Sequence, residues 1–160
     1  MEITLDERTS AHVRIYFERV QDAEIQKYLP RSVSSVQQAL ENFEHARKPG
    51  ATSYGRVILV DGNYVGDVWC YGINLSEIPQ AMISYCLFEK KYWGNGVMSR
   101  ALALFLSEIS QCYGISCFGA FSFSENSASI RVLEKNGFFI QESFSENGIE
   151  SVYMQTEDAE

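Results

Sequence analysis

The sequence has few of the residues that build metal sites, disulfides and nucleophile pairs. Its two histidines, His12 and His45, are far apart, and its four cysteines include no Cys-x-x-Cys pair. Residues of these types at such spacings predict neither a zinc site nor a Cys–His nucleophile. Three of the cysteines lie in apolar surroundings, so we expect reduced, mostly buried thiols.

Long apolar runs and an excess of positive charge are also missing. No apolar run approaches the roughly 18 residues of a membrane span. Residues 1–7 lack the basic-then-apolar order of a signal peptide. The 13 basic and 21 acidic residues give a formal net charge of -8, which argues against nucleic-acid binding and fits a cationic substrate or partner. We therefore expect a cytoplasmic protein that binds neither membranes nor nucleic acids.

What the chain does contain is enough apolar material for one ordered domain. It has 160 residues, of which 46% are hydrophobic and 13% aromatic. A chain of this size can bury a sizeable core. We expect a single domain over residues 1–160, with an acidic, frayed tail at 155–160.

The N-terminal third shows one strand pattern and two helix patterns. Alternating apolar and polar residues over 13–17 predict the first strand. Asp22 is placed to cap a short helix that Pro30 ends. Ser34 or Ser35 begins a capping box for a second helix. These helices either wall a substrate cleft or cover a sheet edge.

The rest of the chain alternates strand and helix patterns. Asp61-Gly62 supplies the positive φ angles of a tight turn and predicts a hairpin around it. The elements predicted from position 56 onward are strands 56–60, 64–71 and 81–88, helix 97–109, strand 115–121, helix 124–137, and a final hairpin of 138–144 and 149–154. This order predicts a mixed sheet with helices on both faces, an α/β or α+β fold. Ligands of such sheets bind at the carboxyl ends of strands.

The stretch from Lys90 to Arg100, KKYWGNGVMSR, connects a predicted strand to a predicted helix. Such a turn directs backbone N–H groups and the positive end of a helix dipole at one place, and Gly94 and Gly96 allow a ligand to approach closely. This pattern favours phosphate binding over a turn that merely reverses the chain. It is not a P-loop, because Val97 follows Gly96 where a lysine is needed.

Two stretches together resemble the GNAT superfamily of N-acetyltransferases. The run Lys91-Tyr-Trp-Gly-Asn-Gly96 resembles the Arg/Gln-x-x-Gly-x-Gly/Ala loop that holds acetyl-CoA, with lysine in place of arginine or glutamine. Residues 126–138, NSASIRVLEKNGF, resemble the second CoA-contacting segment. The residues of these two motifs are most similar to the branch that includes the ribosomal-protein N-terminal acetyltransferases (RimJ/RimL type). The resemblance covers about residues 81–138.

The resemblance implies a mostly antiparallel, twisted sheet of roughly six to seven strands with a splayed strand pair for CoA. The pantetheine arm would lie between the strand ending near Leu87 and the strand beginning at Ile115. No metal is implied. The residues implied to bind acetyl-CoA are Leu87, Phe88, Lys91, Tyr92, Trp93, Gly94, Asn95, Gly96, Val97, Asn126, Ser129 and Lys135.

The implied chemistry is direct attack of a primary amine on the thioester. The acceptor would be a peptide N-terminus, a polyamine or a small amine. Leu133 stands where many relatives have a tyrosine that acts as the general acid. In the branch that the sequence resembles, a serine at the Asn-x-x-Ser position lies near the leaving thiolate, so the resemblance makes Ser129 the candidate acid. The alternative is that Ser129 is a first-turn serine bonded locally in its helix. Glu89 is the first candidate base and Glu125 the second.

Several alternatives stay open at this point. Tyr85 and Trp69 either line the acceptor cleft or pack in the core. The leucine at position 133 also fits a non-catalytic acyl-CoA-binding regulatory module. A third candidate is an interaction domain whose acidic surface binds a basic partner without CoA. The assembly is expected to be a monomer or a homodimer.

Overall fold

The structure, a computed structural model, describes residues 1–29 and 33–157 and is built around one sheet of seven strands. The strands are β1 Ile3–Glu7, β2 Tyr54–Val60, β3 Asn63–Asn74, β4 Gln80–Leu87, β5 Cys117–Phe123, β6 Phe139–Glu146 and β7 Ile149–Gln155. Their spatial order is β1-β2-β3-β4-β5-β7-β6. Every neighbouring pair is antiparallel except β4–β5. The predicted mixed, mostly antiparallel sheet is confirmed.

Helices cover both faces of this sheet, as predicted. They are α1 Ser10–Arg19, α2 Ala23–Gln26, α3 Val36–Ala46, α4 Val97–Tyr113 and α5 Ser127–Lys135. The main core forms between the sheet and α4 and α5, with Phe105 and Leu133 fully buried. A smaller core on the other face joins Val20 and Ile25 to Cys86 of β4 and to Phe88, which follows β4. The helix α3 packs on α1.

The strand predicted at 13–17 is wrong, because these residues belong to α1. Thr9 caps the helix by accepting a hydrogen bond from the His12 backbone N–H. Val13 and Val20 are both buried, and their spacing of seven residues is two helical turns. Ile15, by contrast, is 43% exposed. The alternation of apolar and polar residues over 13–17 is too short to distinguish a strand from a helix, because the helical period becomes visible only over a longer stretch of sequence.

The first strand of the sheet is instead β1, which the sequence patterns did not predict. It pairs only with β2, from Ile3 opposite Val60 to Glu7 opposite Arg56. Ile3 is buried under α4, whereas the rest of the strand is half-buried or exposed. An edge strand with one buried residue gives a weak periodic signal.

The turns and caps agree closely with the predictions. Asp61 and Gly62 have positive φ angles in the β2–β3 turn, and Asn147 and Gly148 do so in the β6–β7 turn. Asp22 caps α2. Of the two candidate serines, Ser35 caps α3. The expected stop at Pro30 and the last residues of the tail lie outside the described residues.

The parallel β4–β5 pair is short, and this is what creates the site. Only Gln80, Ala81 and Met82 of β4 pair with β5. Beyond them, residues 83–87 and 120–123 have no partner across the gap. The two strands therefore splay, as the resemblance implied.

Candidate active site

A cleft of about 800 Å³ opens where β4 and β5 separate. It is lined by the ends of both strands, the 92–94 loop, the first turn of α4, one side of α5, and residues of α2. This volume lies within the range of about 300–1,000 Å³ of small-molecule sites. The unpaired backbone groups along the gap are available to an extended ligand that lies between the strands.

One end of the cleft is built to hold an anion. Gly94 and Gly96 have φ angles of 79° and 78°, and a Cβ atom at either would meet nothing within 4 Å. Their lack of side chains therefore leaves open space above the backbone. Gly96 is the N-cap of the 17-residue α4 and makes no side-chain cap. The N–H groups of the first helical turn thus remain as donors beside the positive end of the dipole.

The loop before α4 is held to β4 by side chains. The Trp93 Nε1–H donates to the Leu87 carbonyl oxygen at 2.8 Å. The Asn95 Nδ2–H donates to the Lys91 carbonyl oxygen at 3.1 Å. Because both bonds end on backbone, they set the loop's shape before any ligand arrives.

A lysine of the same loop ties it to α2. The Nζ atom of Lys90 lies 2.9 Å from Oδ2 of Asp22 and 2.9 Å from Oε1 of Glu24. The hydrogen bond from Lys90 lowers the pKa of Asp22. The wall of the cleft that α2 forms is therefore joined to the anion-binding end.

Two hydroxyl groups meet in the middle of the cleft. The Tyr85 hydroxyl lies 2.8 Å from Oγ of Ser129 and 3.2 Å from the Ser129 carbonyl oxygen. Asn126 caps α5 by accepting from the Ser129 N–H at 3.3 Å. Burial raises the pKa of Tyr85 to about 12, so its phenol keeps its proton at neutral pH. Leu133 is buried in the main core and has no donor.

Most of the residues predicted to bind the cofactor are brought together by this geometry. Those that line the cleft are Leu87, Tyr92, Trp93, Gly94, Gly96, Val97, Asn126, Ser129 and Lys135. Arg131 of α5 lines it as well. Lys135 and Arg131 are exposed cations, which suit an anionic ligand.

Other predicted residues lie outside the cleft. Phe88 is 2% exposed in the smaller core, and its N–H donates to the Val65 carbonyl oxygen at 2.9 Å. The Glu89 carboxylate is ion-paired with Arg19. Both residues follow the end of β4, where Phe88 packs against Val20 and Ile25 and Glu89 reaches Arg19 of α1. Also outside the lining of the cleft are Lys91, Asn95, Glu125 and Trp69.

The cleft also contains aromatic residues that the sequence patterns did not single out. These are Tyr28, Tyr71, Phe121, Phe123 and Phe144. The signal was present for Phe121 and Phe123, because alternation along β5 places both on one face. Their meeting with Tyr28 and Phe144 depends on long-range topology and leaves no local pattern.

Behind β4 lies a buried carboxylate. Asp67 is 2% exposed, accepts a hydrogen bond from the Tyr64 hydroxyl, and its Oδ2 lies 2.9 Å from Nε of Arg8. Burial raises the pKa of Asp67 to about 6, against the effect of Arg8. Asp67 is paired in register with Cys86, which lines the cleft.

In the part of the chain that the structure describes, no three His, Cys, Asp or Glu side chains lie together as a metal site. None of the helices described there has the length and apolar character of a membrane span.

A family model for the acetyltransferase (GNAT) domain matches residues 2–139 of the sequence. The chain therefore belongs to the GNAT acetyltransferase family. It is an acetyl-CoA-dependent N-acetyltransferase, with acetyl-CoA as co-substrate. The open glycines, the uncapped start of α4, the cations of α5 and the unpaired strand edges all fit that thioester.

Solved structures share the fold over nearly the whole chain. RimL, the ribosomal L7/L12 α-N-protein acetyltransferase in complex with coenzyme A, has a TM-score of 0.81 at 20% identity and covers 96% of this chain and 92% of its own. Spermidine N-acetyltransferase from Vibrio cholerae with CoA and spermine has a TM-score of 0.84 at 15% identity, covering 96% and 94%. The aminoglycoside acetyltransferase AAC(6')-Ib with paromomycin and acetyl-CoA has a TM-score of 0.80 at 15% identity, and the match covers 98% of this chain and 93% of that one. No curated protein sequence matches the chain.

Proposed function

We propose that the protein transfers the acetyl group of acetyl-CoA directly to a primary amine. The observation that carries this proposal is the continuity of one cleft from the open glycine loop, along two unpaired strand edges, to the Tyr85–Ser129 hydroxyl pair. An extended thioester placed along that line brings its phosphates to the start of α4 and its sulfur toward the hydroxyls.

The loop and α5 hold the cofactor. Acetyl-CoA supplies the acetyl group in activated form, as a thioester. Backbone N–H groups from Gly94 to Val97 bind its pyrophosphate, and Lys135 adds positive charge. The amide oxygen of Asn126 caps α5, so the amide NH2 group is left to donate to the pantetheine arm.

The hydroxyl pair handles the leaving sulfur. Ser129 donates its proton toward the thiolate as the C–S bond breaks. Tyr85 donates to Ser129 Oγ and stabilises the negative charge that develops there. This pair performs the role of the tyrosine acid that many relatives have at the position of Leu133.

Neither of the two candidate bases, Glu89 and Glu125, has a free carboxylate in the cleft. The ion pair with Arg19 engages Glu89, and Glu125 lies outside the cleft lining. In this proposal the amine loses its proton to water before or during attack, and Glu89 acts only through intervening water. The rate then depends on the fraction of neutral amine.

Three of the similar solved structures are acetyltransferases of different amine-bearing compounds. One is an α-N-protein acetyltransferase, one a spermidine acetyltransferase and one an aminoglycoside acetyltransferase. The net charge of -8 supports a cationic acceptor here as well.

The test is a calorimetric titration with acetyl-CoA, followed by mass spectrometry of an amine panel incubated with protein and acetyl-CoA. Binding with acetylated product supports the proposal. Binding without product from any amine supports a non-catalytic acyl-CoA-binding module, for which the buried Leu133 is the motivating observation. Absence of binding contradicts both and supports an interaction domain.

A further inference from the structure

The side of the cleft away from α5 carries an aromatic shelf formed by Phe121, Phe123 and Phe144. Phe121 is 57% exposed, although its ring lies 6.0 Å from the Phe144 ring and 5.2 Å from the Tyr153 ring. An aromatic side chain that is packed from the sides and open above is a surface on which an apolar group can lie.

The shelf lies on the face of the sheet opposite to α4 and α5, the helices that hold the cofactor in the proposed function. Ala120, which precedes Phe121, points into the main core with α4 and α5. Strand alternation therefore turns Phe121 and Phe123 to the opposite face. There Tyr28 lies 6.3 Å from Phe123 and closes the cleft from the α2 side.

The floor between these aromatic walls is uncharged. It is formed by Ser84 and Cys86 of β4. Burial raises the pKa of the Cys86 thiol to about 12, so it stays neutral. A group lying on the shelf meets no charge beneath it.

The charges that line the cleft are separated by side. Arg131 and Lys135 belong to α5, on the cofactor side. The carboxylates that line the described cleft are Glu24, which is bound to Lys90 at 2.9 Å, and Glu146. The backbone of Glu146 is paired with Ile149 in the β6–β7 hairpin, but its carboxylate makes no hydrogen bond or ion pair with residues 1–29 or 33–157. One unpaired carboxylate matches one ammonium group.

We infer that the acceptor is a monoamine joined to an aromatic or bulky apolar group, and that it is neither a polyamine nor an aminoglycoside. The apolar group lies on the shelf, while Glu146 attracts the ammonium group into the cleft. A polycation would need several free carboxylates, which the described cleft does not offer. This inference rests on the proposed acetyl transfer.

The test compares amines that differ in apolar content, in number of positive charges and in size. The 160-residue chain with saturating acetyl-CoA is given 2-phenylethylamine, ethylamine, spermidine, kanamycin or a peptide beginning Ala-Gly, and product is quantified by mass spectrometry. Ethylamine keeps the amine and lacks the ring. We expect kcat/KM for 2-phenylethylamine to exceed that for each of the others by about tenfold or more.

Matched variants connect that preference to the shelf. Phe121→Ala and Phe144→Ala should each lower kcat/KM for 2-phenylethylamine by about fivefold to tenfold, and lower that for ethylamine much less. Phe139→Ala is the control, because Phe139 is a 44% exposed aromatic residue of β6 that does not line the cleft. It should leave every rate unchanged.

The carboxylate is tested in the same way. Glu146→Gln should raise KM for 2-phenylethylamine about threefold at low salt, whereas Glu150→Gln on the same hairpin should not. Thermal melting and acetyl-CoA titration of each variant show that it is folded and loaded.

Equal efficiency for 2-phenylethylamine and ethylamine, or a preference for spermidine, kanamycin or the peptide, overturns the inference while acetyl transfer stands. Product from none of the amines overturns the proposed function, and the inference with it.

Discussion

The Tyr85 and Ser129 hydroxyls lie 2.8 Å apart although the residues are 44 positions apart in sequence. If they act as one unit on the leaving group, Tyr85→Phe and Ser129→Ala should each lower kcat by about tenfold to a hundredfold. The double variant should be little worse than the poorer single one, because each removes the same relay. The Kd for acetyl-CoA should change little in all three.

Tyr113→Phe serves as the control, since Tyr113 lies at the end of α4 away from the cleft. Multiplicative losses in the double variant would show that the two hydroxyls act independently. A loss confined to thermal stability would make the pair structural.

A second prediction concerns Gly96, the N-cap of α4. A Cβ atom there meets open space, but the φ angle of 78° strains any L side chain. Gly96→Ala should therefore cost about 1 kcal/mol of stability and keep most acetyl-CoA affinity. Gly96→Glu should cost a similar amount and abolish binding, because it places a carboxylate where phosphates bind. Equal affinity of the two variants, measured by calorimetry, would contradict this role for the loop.

The buried Asp67 makes stability depend on pH. Its pKa is raised from 3.8 to about 6 in the native state, so the folded protein holds this proton more tightly than the unfolded chain. This contribution is fully present below about pH 4 and is lost as the pH rises through 6, by roughly 2–3 kcal/mol. Asp67→Asn should flatten that part of the profile in urea unfolding between pH 4 and 8. A parallel profile for the variant would show that Asp67 keeps an ordinary pKa.

These residues show what the sequence can and cannot predict about a site. Gly94, Gly96 and Asn126 act through the local backbone, and their spacing was readable along the chain. The contact of Tyr85 with Ser129 and of Tyr28 with Phe123 joins distant elements, so no local pattern encodes it. The Phe88 side chain, one residue beyond the end of β4, packs in the other core, and its contact with the cofactor stays a prediction.

At the scale of elements, the end of β4 depends on a close approach to β3. A Cβ atom at Gly66 would lie 2.3 Å from the Cys86 carbonyl oxygen and 2.9 Å from Cα of Leu87. Both are backbone atoms that cannot rotate away. Gly66→Ala should therefore destabilise the protein by about 2–3 kcal/mol and displace the cleft edge at Leu87.

Gly55→Ala in β2 is the comparison, because its nearest neighbour is the Trp69 Cβ at 3.2 Å, a milder contact. Its loss of stability in denaturant unfolding should be smaller, with kcat/KM nearly unchanged. If the two variants lose the same stability, the tight β3–β4 approach is not what fixes the strand end.

Elements with strong local signals were predictable, and the others were not. The turns at Asp61 and Asn147 have positive φ angles, which asparagine, aspartate and glycine adopt readily, so the sequence marks their positions. In α1 the apolar residues fit the helical period and the strand period almost equally well, so the pattern does not distinguish a helix from a strand. In β1 only one residue is buried, so no alternating pattern is visible. Tertiary packing decides such cases.

For the whole molecule, the net charge of -8 predicts how the acceptor reaches its site. Raising the salt concentration should raise KM for a cationic amine, because screening weakens the attraction, and should leave kcat nearly unchanged. The rate should climb with pH as the amine loses its proton. Acetylated product is followed by mass spectrometry, because thiol reagents would also detect the exposed Cys112. Insensitivity to both salt and pH between about 6 and 9 would contradict a cationic acceptor.

The single domain over residues 1–160, the cytoplasmic location and the monomeric or homodimeric state stay predictions from the sequence. The family match over residues 2–139 shows that most of the chain forms one acetyltransferase domain.

The split between β4 and β5 leaves two strand edges inside the molecule, along residues 83–87 and 120–123. Unpaired edges are templates for pairing with foreign strands, and proteins usually shield them. In the proposed binding mode the pantetheine arm of acetyl-CoA lies along these edges and shields them. Bound acetyl-CoA should then raise the free energy of unfolding in proportion to the logarithm of its concentration, and should slow self-association of the protein through these edges.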